Sequence, residues 1–270
     1  SYIHYLDMIS VIIPMFNAEK TIIKALDSVR NQDYDLNEFE VIIINDGSTD
    51  SSKMLAENYR NKNAELNIKI ITKDNGGVSK ARNAGLKAAT GNYIALLDSD
   101  DEWLPAKTKT QMKFLEDENL NVDFITSLRN GEKIWFPYKK NTFNLAKITL
   151  RKLLLRVDGQ TSTALFKRKV LENTGFFDEN QRYSEDANYW MKISENNSMY
   201  ILGEELVFTG GGKRSFGASG LSANLQEMEK GIQKNLREMY HSGRIHYFEY
   251  ILFFIFSKLK YIVRIFKTSI

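Results

Sequence analysis

Four short apolar runs, each ending in a polar or glycine-containing loop, constrain this chain more than any other feature. Ile9-Ser10-Val11-Ile12-Ile13-Pro14 reads as a buried strand stopped by proline, and Asn17 is placed to cap the helix that follows, where Ile22, Ala25, Leu26 and Val29 recur at helical spacing. Phe39 to Ile44 is a second run, turned by Asn45-Asp46-Gly47-Ser48 into another helix, in which Ser48 or Asp50 is the candidate cap. Ile68 to Ile71 is a third, followed by the loop Asp74-Asn75-Gly76-Gly77 and a helix whose Ala81, Ala84, Gly85 and Ala88 form a small-residue face suited to close packing. Tyr93 to Leu97 is the fourth and ends at Asp98. Strands alternating with helices predict an α/β fold, a parallel sheet with helices on both faces. Such sheets bind ligands at the carboxyl ends of their strands. Pro14–Asn17, Asp46 and Asp98–Asp101 all follow strand ends, so these loops are expected to build one site.

Beyond residue 105 the pattern is mixed. Helices are expected over Lys107–Glu118, Leu150–Arg156, Asp186–Asn196 and Leu225–Tyr240, and strands over Thr163–Phe166 and Met199–Leu202; Gly210 to Arg214 reads as a flexible basic loop. With 270 residues, 43% hydrophobic and 26% charged, the chain has material for one large domain, or a domain with an appendage. It contains no cysteine, which excludes disulfides and thiolate metal sites. His4, His241 and His246 stand outside the polar loops, which argues against a histidine zinc site. The net charge of +3 comes from the end of the chain, where Arg244, Lys258, Lys260, Arg264 and Lys267 face a single acid, Glu249. A nucleic-acid protein would spread that excess over a face of its folded domain. No signal peptide is read in Ser1–Asp7, and Met8 is the candidate native start.

Four constellations carry chemistry. Asp98-Ser99-Asp100-Asp101 places three carboxylates in four residues, an arrangement suited to Mg²⁺ or Mn²⁺ shared with diphosphate oxygens; a solvated acidic turn is the alternative. Asp46, at a strand end, can accept a hydrogen bond from a base N–H, or it can belong to a capping turn. Asn75-Gly76-Gly77-Val78-Ser79-Lys80-Ala81-Arg82-Asn83 combines glycines that admit a ligand to the backbone with two cations for phosphate, but lacks the order of a P-loop. Glu185-Asp186 opens a helical run; it is a candidate general base, or a plain capping pair.

Taken in order, these elements resemble glycosyltransferase family 2, enzymes of the GT-A fold, over roughly residues 9–215. Ile9 to Asn17 matches the family's opening strand. Asn45 to Asp50 matches its Asp-Asp-Gly-Ser-x-Asp turn, with Asn45 in place of the first Asp. Gly77 to Gly85 matches Gly-x-Ser-x-Ala-Arg-Asn-x-Gly in full, Asp98 to Asp101 matches Asp-x-Asp-Asp, and Glu185-Asp186 matches the acceptor-half pair. The resemblance implies a GT-A type, Rossmann-like, mainly parallel sheet flanked by helices, with a catalytic domain over 8–215. Residues 8–105 would bind the nucleotide sugar, 106–215 the acceptor, and 216–270 would form a helical extension. It implies inverting transfer from a nucleotide sugar, with a UDP-sugar favoured by Asp46, which would read the base. Pro14, Phe16, Asn17 and Glu19 would wall the nucleoside pocket. Gly77, Lys80 and Arg82 would lie near the diphosphate or brace its loop. Asp98 and Asp100 would face the ribose, the diphosphate and a bound Mn²⁺ or Mg²⁺, with Ser99 among the donor-binding residues, and Asp186 would be the catalytic base with Glu185 beside it. The Gln-x-x-Arg-Trp motif of processive synthases is absent, so one or a few sugars should be added.

The tail gives a further expectation. Ile245 to Phe256 is rich in aromatics, but its apolar core is far shorter than the about 20 residues a span needs. Cations then alternate with apolar residues to Phe266. This reads as an amphipathic helix on a membrane interface, or as a helix packed on the domain or a partner. The expected setting is cytoplasmic, peripheral on the inner face of the membrane, with a glycan or lipid-linked saccharide acceptor in bacterial surface polysaccharide or glycolipid assembly, and no nucleic-acid partner. Two rival readings remain: a sugar-phosphate nucleotidyltransferase, whose basic glycine-rich first loop is replaced here by Pro14-Met15-Phe16-Asn17, and a non-catalytic sugar-nucleotide or glycan-binding module.

Overall fold

A computed structural model describes residues 8–212 and 224–268. The first four strands are β1 (Ile9–Met15), β2 (Phe39–Asp46), β3 (Asn67–Lys73) and β4 (Tyr93–Leu96). They lie in the order β3-β2-β1-β4, and every neighbouring pair is parallel. The helices α1 (Ile22–Arg30), α2 (Ser52–Lys62) and α3 (Val78–Ala88) connect them. Successive side chains point to opposite faces of a strand. Ile9, Val11 and Ile13 therefore enter one apolar core while Ile12 enters the other, and β2 divides Val41 and Ile43 from Ile42 and Ile44 in the same way. A parallel strand covered on both faces has no reason to alternate with polar residues, which is why β1, β2 and β4 are legible as mainly apolar runs. The small-residue face of α3 packs as expected: a Cβ added at Gly85 would run into the side chain of Ile12 and stand 3.4 Å from Ile44 Cγ1.

The second half continues the sheet as β4-β8-β6-β9-β5, with β7 also paired to β9. In chain order these elements are β5 (Glu102–Trp103), α4 (Lys107–Glu116), β6 (Phe124–Arg129), β7 (Leu145–Ile148), α5 (Leu150–Leu155), β8 (Leu165–Lys167), α6 (Arg168–Thr174), α7 (Glu185–Ile193) and β9 (Met199–Phe208). Here β6 and β9 are parallel and the remaining pairs antiparallel, but the antiparallel registers are short, so most paired residues in the sheet as a whole lie in parallel ladders. The last two helices are α8 (Leu225–His241) and α9 (Tyr247–Thr268). Leu236, Met239, Ile245 and Phe253 from this end of the chain join the same core as Trp190 and Tyr189.

Several local expectations change. Pro14 does not end β1, which runs on to Met15. Asn17 does not cap α1: it stands at φ 48°, its carboxamide oxygen accepts from Thr49 N, and Thr21 takes the cap position. Thr161–Thr163 forms a 3-10 turn because the Gln160 side chain accepts from Ser162 N, which pushes the strand forward to Leu165. Strand β9 extends well past Leu202, while β5, β6, β7 and helix α6 were not read from the sequence at all. Gly210–Gly212 forms a short turn; Lys213 and Arg214 of the expected basic loop lie outside the described residues.

Candidate active site

The loops after β1 and β2 are laced together by side chains reading backbone. Asn17 N donates to Ser48 Oγ at 3.1 Å and Thr49 N to Asn17 Oδ1 at 2.9 Å. Glu19 N donates to Asp50 Oδ2 at 3.2 Å, while Glu19 Oε2 accepts from Ser51 N at 3.1 Å. Asp50 also accepts from Ser52 N, so it serves the first turn of α2 as the capping alternative expected. Asn45 is buried and accepts from Ser48 N, a turn-forming contact that its amide makes without the charge of an Asp. Pro14 is half-buried, and the Phe16 ring is exposed on this rim.

Asp46, at the end of β2, is buried and accepts three donors: Gly76 N at 3.0 Å and Lys73 Nζ at 2.7 Å on one oxygen, Gly77 N at 2.9 Å on the other. This clamp fixes the start of α3, where Gly77 holds φ 90°, a conformation that favours glycine. From that fixed start α3 projects Ser79, Arg82 and Asn83 from one face towards the second half of the chain. Ser79 Oγ donates to Gln181 O, and the Asn83 side chain both donates to Phe177 O and accepts from Phe177 N. Arg82 is buried, 4% exposed, with its guanidinium 5.3 Å from the Phe177 ring centre. Arg82 Nη1 lies 3.0 Å from Glu185 Oε1 and Nη2 lies 2.9 Å from Asp98 Oδ1. The expected bracing role is the one Arg82 plays here. Lys80, on the opposite side, is exposed and makes no ion pair among the described residues. The motif from Gly77 to Gly85 thus joins the two halves, with one cation left over for a ligand.

Burial opposes the charge on Arg82, but Asp98, Glu185 and Asp186 around it hold the guanidinium firmly protonated. Glu185 is pushed up by burial and by the charge of Asp186, against the pull of Arg82. Burial also raises Asp186, while its Oδ1 accepts from Ala187 N at 2.7 Å at the start of α7. Glu185 is committed to Arg82, whereas Asp186 forms no ion pair among the described residues.

In the loop after β4, Asp98 N is held by Ser162 Oγ at 2.9 Å. Asp101 is fully engaged: it accepts from Ser162 Oγ at 2.6 Å, Gln160 Nε2 at 3.0 Å and Gly210 N at 3.0 Å. The third carboxylate of the motif is therefore a staple between three segments. Asp98, by contrast, is partly exposed, and Asp100 carries no side-chain hydrogen bond or ion pair among the described residues. Desolvation and the charge of Asp98 raise the Asp100 carboxyl above the usual range. Among the described residues no group of three or more His, Asp or Glu forms a ready cation cage. Asp98, with one oxygen on Arg82, and Asp100, without a side-chain partner among the described residues, are the carboxylates that could offer oxygens to a hard divalent ion taking its other ligands from diphosphate and water.

Sequence reasoning missed Gln160, Ser162, Ser79, Asn83 and Gln181, which position the site. Only Ser79 and Asn83 left a signal, as polar members of the Gly77–Gly85 motif placed so that Arg82 and Asn83 fall three and four positions after Ser79, on one face of α3.

The comparisons with known proteins accord with this architecture. The model of "Glycosyl transferase family 2" matches residues 10–175. The poly(ribitol-phosphate) beta-N-acetylglucosaminyltransferase TarS of Staphylococcus aureus strain Mu50 is 30% identical over 204 residues, 74% of this chain and 35% of TarS. The minor teichoic acid biosynthesis protein GgaB of Bacillus subtilis strain 168 is 32% identical over 206 residues, again 74% of this chain but 22% of GgaB. The crystal structure of S. aureus TarS 1–349 in complex with UDP-GlcNAc superposes with a TM-score of 0.68 at 26% identity, covering 86% of this chain and 66% of that one. The chain thus spans about a third or less of the length of most of these curated relatives, and about two thirds of two Rickettsia glycosyltransferases. With the family model covering well over half the chain, and with the GT-A sheet and its strand-end loops in place, this chain belongs to glycosyltransferase family 2.

Proposed function

We propose that this chain is an inverting glycosyltransferase that moves a sugar from a UDP-sugar to a hydroxyl of a glycan or lipid-linked saccharide, in bacterial surface polysaccharide assembly. The observation that carries the reading is the Arg82 bridge, which puts the donor-side Asp98 and the acceptor-side Glu185-Asp186 in one electrostatic unit. The excess of carboxylate in that unit favours a divalent cation and a proton acceptor in the same cleft. TarS, named for poly(ribitol-phosphate), and GgaB, named for minor teichoic acid biosynthesis, support an acceptor of that kind, and the TarS complex supports UDP-GlcNAc as the donor to try first.

In this reading Pro14, Phe16, Asn17 and Glu19 border the nucleoside, and Asp46 meets the base through a lone pair left over from its loop contacts. Gly77 shapes the diphosphate loop, and Lys80 reaches the diphosphate. Asp98, with Ser99, faces the ribose, and Asp98 and Asp100 hold Mn²⁺ or Mg²⁺. The cation, when bound, supplies charge stabilisation for the diphosphate. Asp186 takes the acceptor hydroxyl proton, the oxygen bonds to the anomeric carbon, and the bond to the nucleoside diphosphate breaks with its electron pair leaving on the diphosphate. Glu185 and Arg82 keep Asp186 in place. Measuring hydrolysis of UDP-, GDP- and dTDP-sugars, with calorimetry of the three nucleotides, tests the reading; tighter binding of GDP than of UDP would refute the base assignment.

The proposal extends to location, peripheral on the inner face of the membrane. No helix of the described residues is long and apolar enough to cross a bilayer. Along α9, Phe248, Leu252, Ile255, Leu259, Ile262 and Phe266 are exposed at three- and four-residue spacing, forming one apolar stripe. No acid follows Glu249. The opposite face packs on the protein through Phe253 and Ser257, and Lys258 and Lys260 turn inward to Glu229 and to Leu155 O. The stripe rather than the cations is then the principal lipid-seeking feature.

A further inference from the structure

Ser184, the residue before the carboxylate pair, stands at φ 55°, ψ 31°, in the left-handed region. A non-glycine residue there costs on the order of 1–3 kcal/mol and persists only where its surroundings over-determine it. The surroundings come largely from α8. Asn235 Nδ2 donates to Ser184 O at 3.0 Å, and Gln181 Nε2 donates to the same carbonyl at 3.2 Å, to Tyr183 O at 2.9 Å and to Asn235 Oδ1 at 2.8 Å. Asn188, in the first turn of α7, completes the cluster by donating to Asn235 Oδ1 at 3.2 Å and to Glu238 Oε2 at 2.8 Å. Gln181, Asn188 and Asn235 are all buried. Helix α8 gets this close because residue 231 is glycine: a Cβ there would run into the Tyr183 carbonyl oxygen and stand 3.3 Å from Ser184 Cβ. Gly231, Asn235 and Glu238 fall at helical spacing on one face, aimed at the turn that launches α7.

We propose that α8 is the positioning element of the Glu185-Asp186 pair, with Asn235 as its key residue and Gly231 permitting the approach. The inference rests on the reading of Asp186 as the base, and it makes the helix after residue 224 part of the catalytic machinery rather than an appendage. A buried amide network of this kind is cooperative, so removing one member loosens the whole turn. Because Asn235 would act through Asp186, its loss should matter only while Asp186 is there to be positioned.

The test uses the full chain and the sugar nucleotide that the wild type hydrolyses fastest. Asn235→Ala and Gly231→Ala should each lower kcat about tenfold or more, since a displacement near 1 Å can cost roughly 100-fold. Donor KM and UDP affinity should stay within about twofold, because the nucleoside loops are untouched. In an Asp186→Asn background, Asn235→Ala should add little further loss, as groups acting as a unit are not additive. Wild-type kcat in both single variants, or an equal loss from Asn235→Ala in either background, overturns the proposal. So does a parallel fall in kcat and UDP affinity. If Asn235→Ala does not fold, Gly231→Ala in the two backgrounds decides the matter. Near-normal hydrolysis by Asp186→Asn alone defeats the base assignment instead, and is distinguishable because it appears with α8 intact.

Discussion

Arg82 spans two carboxylates that lie 87 positions apart in the chain, Asp98 at 2.9 Å and Glu185 at 3.0 Å. Removing one member of a buried charge cluster leaves the others uncompensated, typically at about 3–5 kcal/mol. Arg82→Met should therefore destabilise by that order and lower hydrolysis about 100-fold or more. Arg82→Lys keeps the charge but cannot make both contacts at once, so it should recover stability better than rate. Thermal unfolding and donor hydrolysis on the same samples check this; equal recovery of both by Lys would show that charge alone matters.

Asp98 and Asp100 should act through a divalent cation. Asp100→Asn should abolish turnover while leaving the melting temperature nearly unchanged, because its carboxylate makes no side-chain contact among the described residues. Chelator should silence the wild type, and Mn²⁺ or Mg²⁺ should restore it. Full hydrolysis in chelator would exclude the metal assignment.

Asp186 must be ionised to accept a proton, and its burial raises the pH at which it ionises. The rate should therefore fall as pH drops through a point above the ordinary Asp range of about 3.9. Asp186→Asn should lower kcat by ~10²–10⁴ and remove that acid limb while UDP still binds. A limb that persists in Asp186→Asn belongs to another group, with Glu185 the next candidate.

Lys107 is 1% exposed, with Gln111 Oε1 at 2.8 Å, the Trp103 ring at 4.2 Å and no ion-pair partner among the described residues. Burial lowers its pKa to about 7. Between pH 7 and the unfolded value near 10.4 the unfolded chain binds the extra proton, so stability rises with pH, by up to about 1.4 kcal/mol per unit. Lys107→Met should raise stability at pH 7 and flatten the rise; denaturant melts at pH 7 and pH 9 measure it. An undiminished slope in the variant would show that the rise comes from elsewhere.

The apolar stripe of α9 should carry the chain to liposomes. Because Lys258 and Lys260 are engaged by the protein, a good part of the binding should survive high salt. Serine at Phe248, Leu252 and Leu259 together should abolish sedimentation with vesicles and leave donor hydrolysis unchanged. Retained sedimentation by the triple variant, or no sedimentation of the wild type, would remove the membrane proposal.

The sequence by itself determined the parallel half of the fold. Strands β1, β2 and β4 lie inside the sheet and are covered on both faces, so they are mostly apolar, while the edge strand β3 keeps an apolar centre between exposed polar residues; a parallel sheet then delivers its loops to one edge. That is why Asp46, Asp98 and Asp100 could be named before their positions were known. It could not reach the second half, where β5, β6 and β7 are short or carry polar residues and all pair with β9, a strand distant in the chain. Nor could it separate the members of a motif. Asp98, Asp100 and Asp101 are chemically alike, and only neighbours brought in by folding separate them: Ser162, Gln160 and Gly210 turn Asp101 into a staple, Arg82 takes one oxygen of Asp98, and Asp100 keeps its carboxylate without a side-chain contact among the described residues. The same holds for Arg82 and Lys80, two cations two residues apart on one helix. A helix rotates successive positions by about 100°, so one turns into the protein to bridge two carboxylates and the other turns out towards solvent. Residue type fixes what a side chain can do, but which of those things it does depends on the neighbours that folding assembles around it.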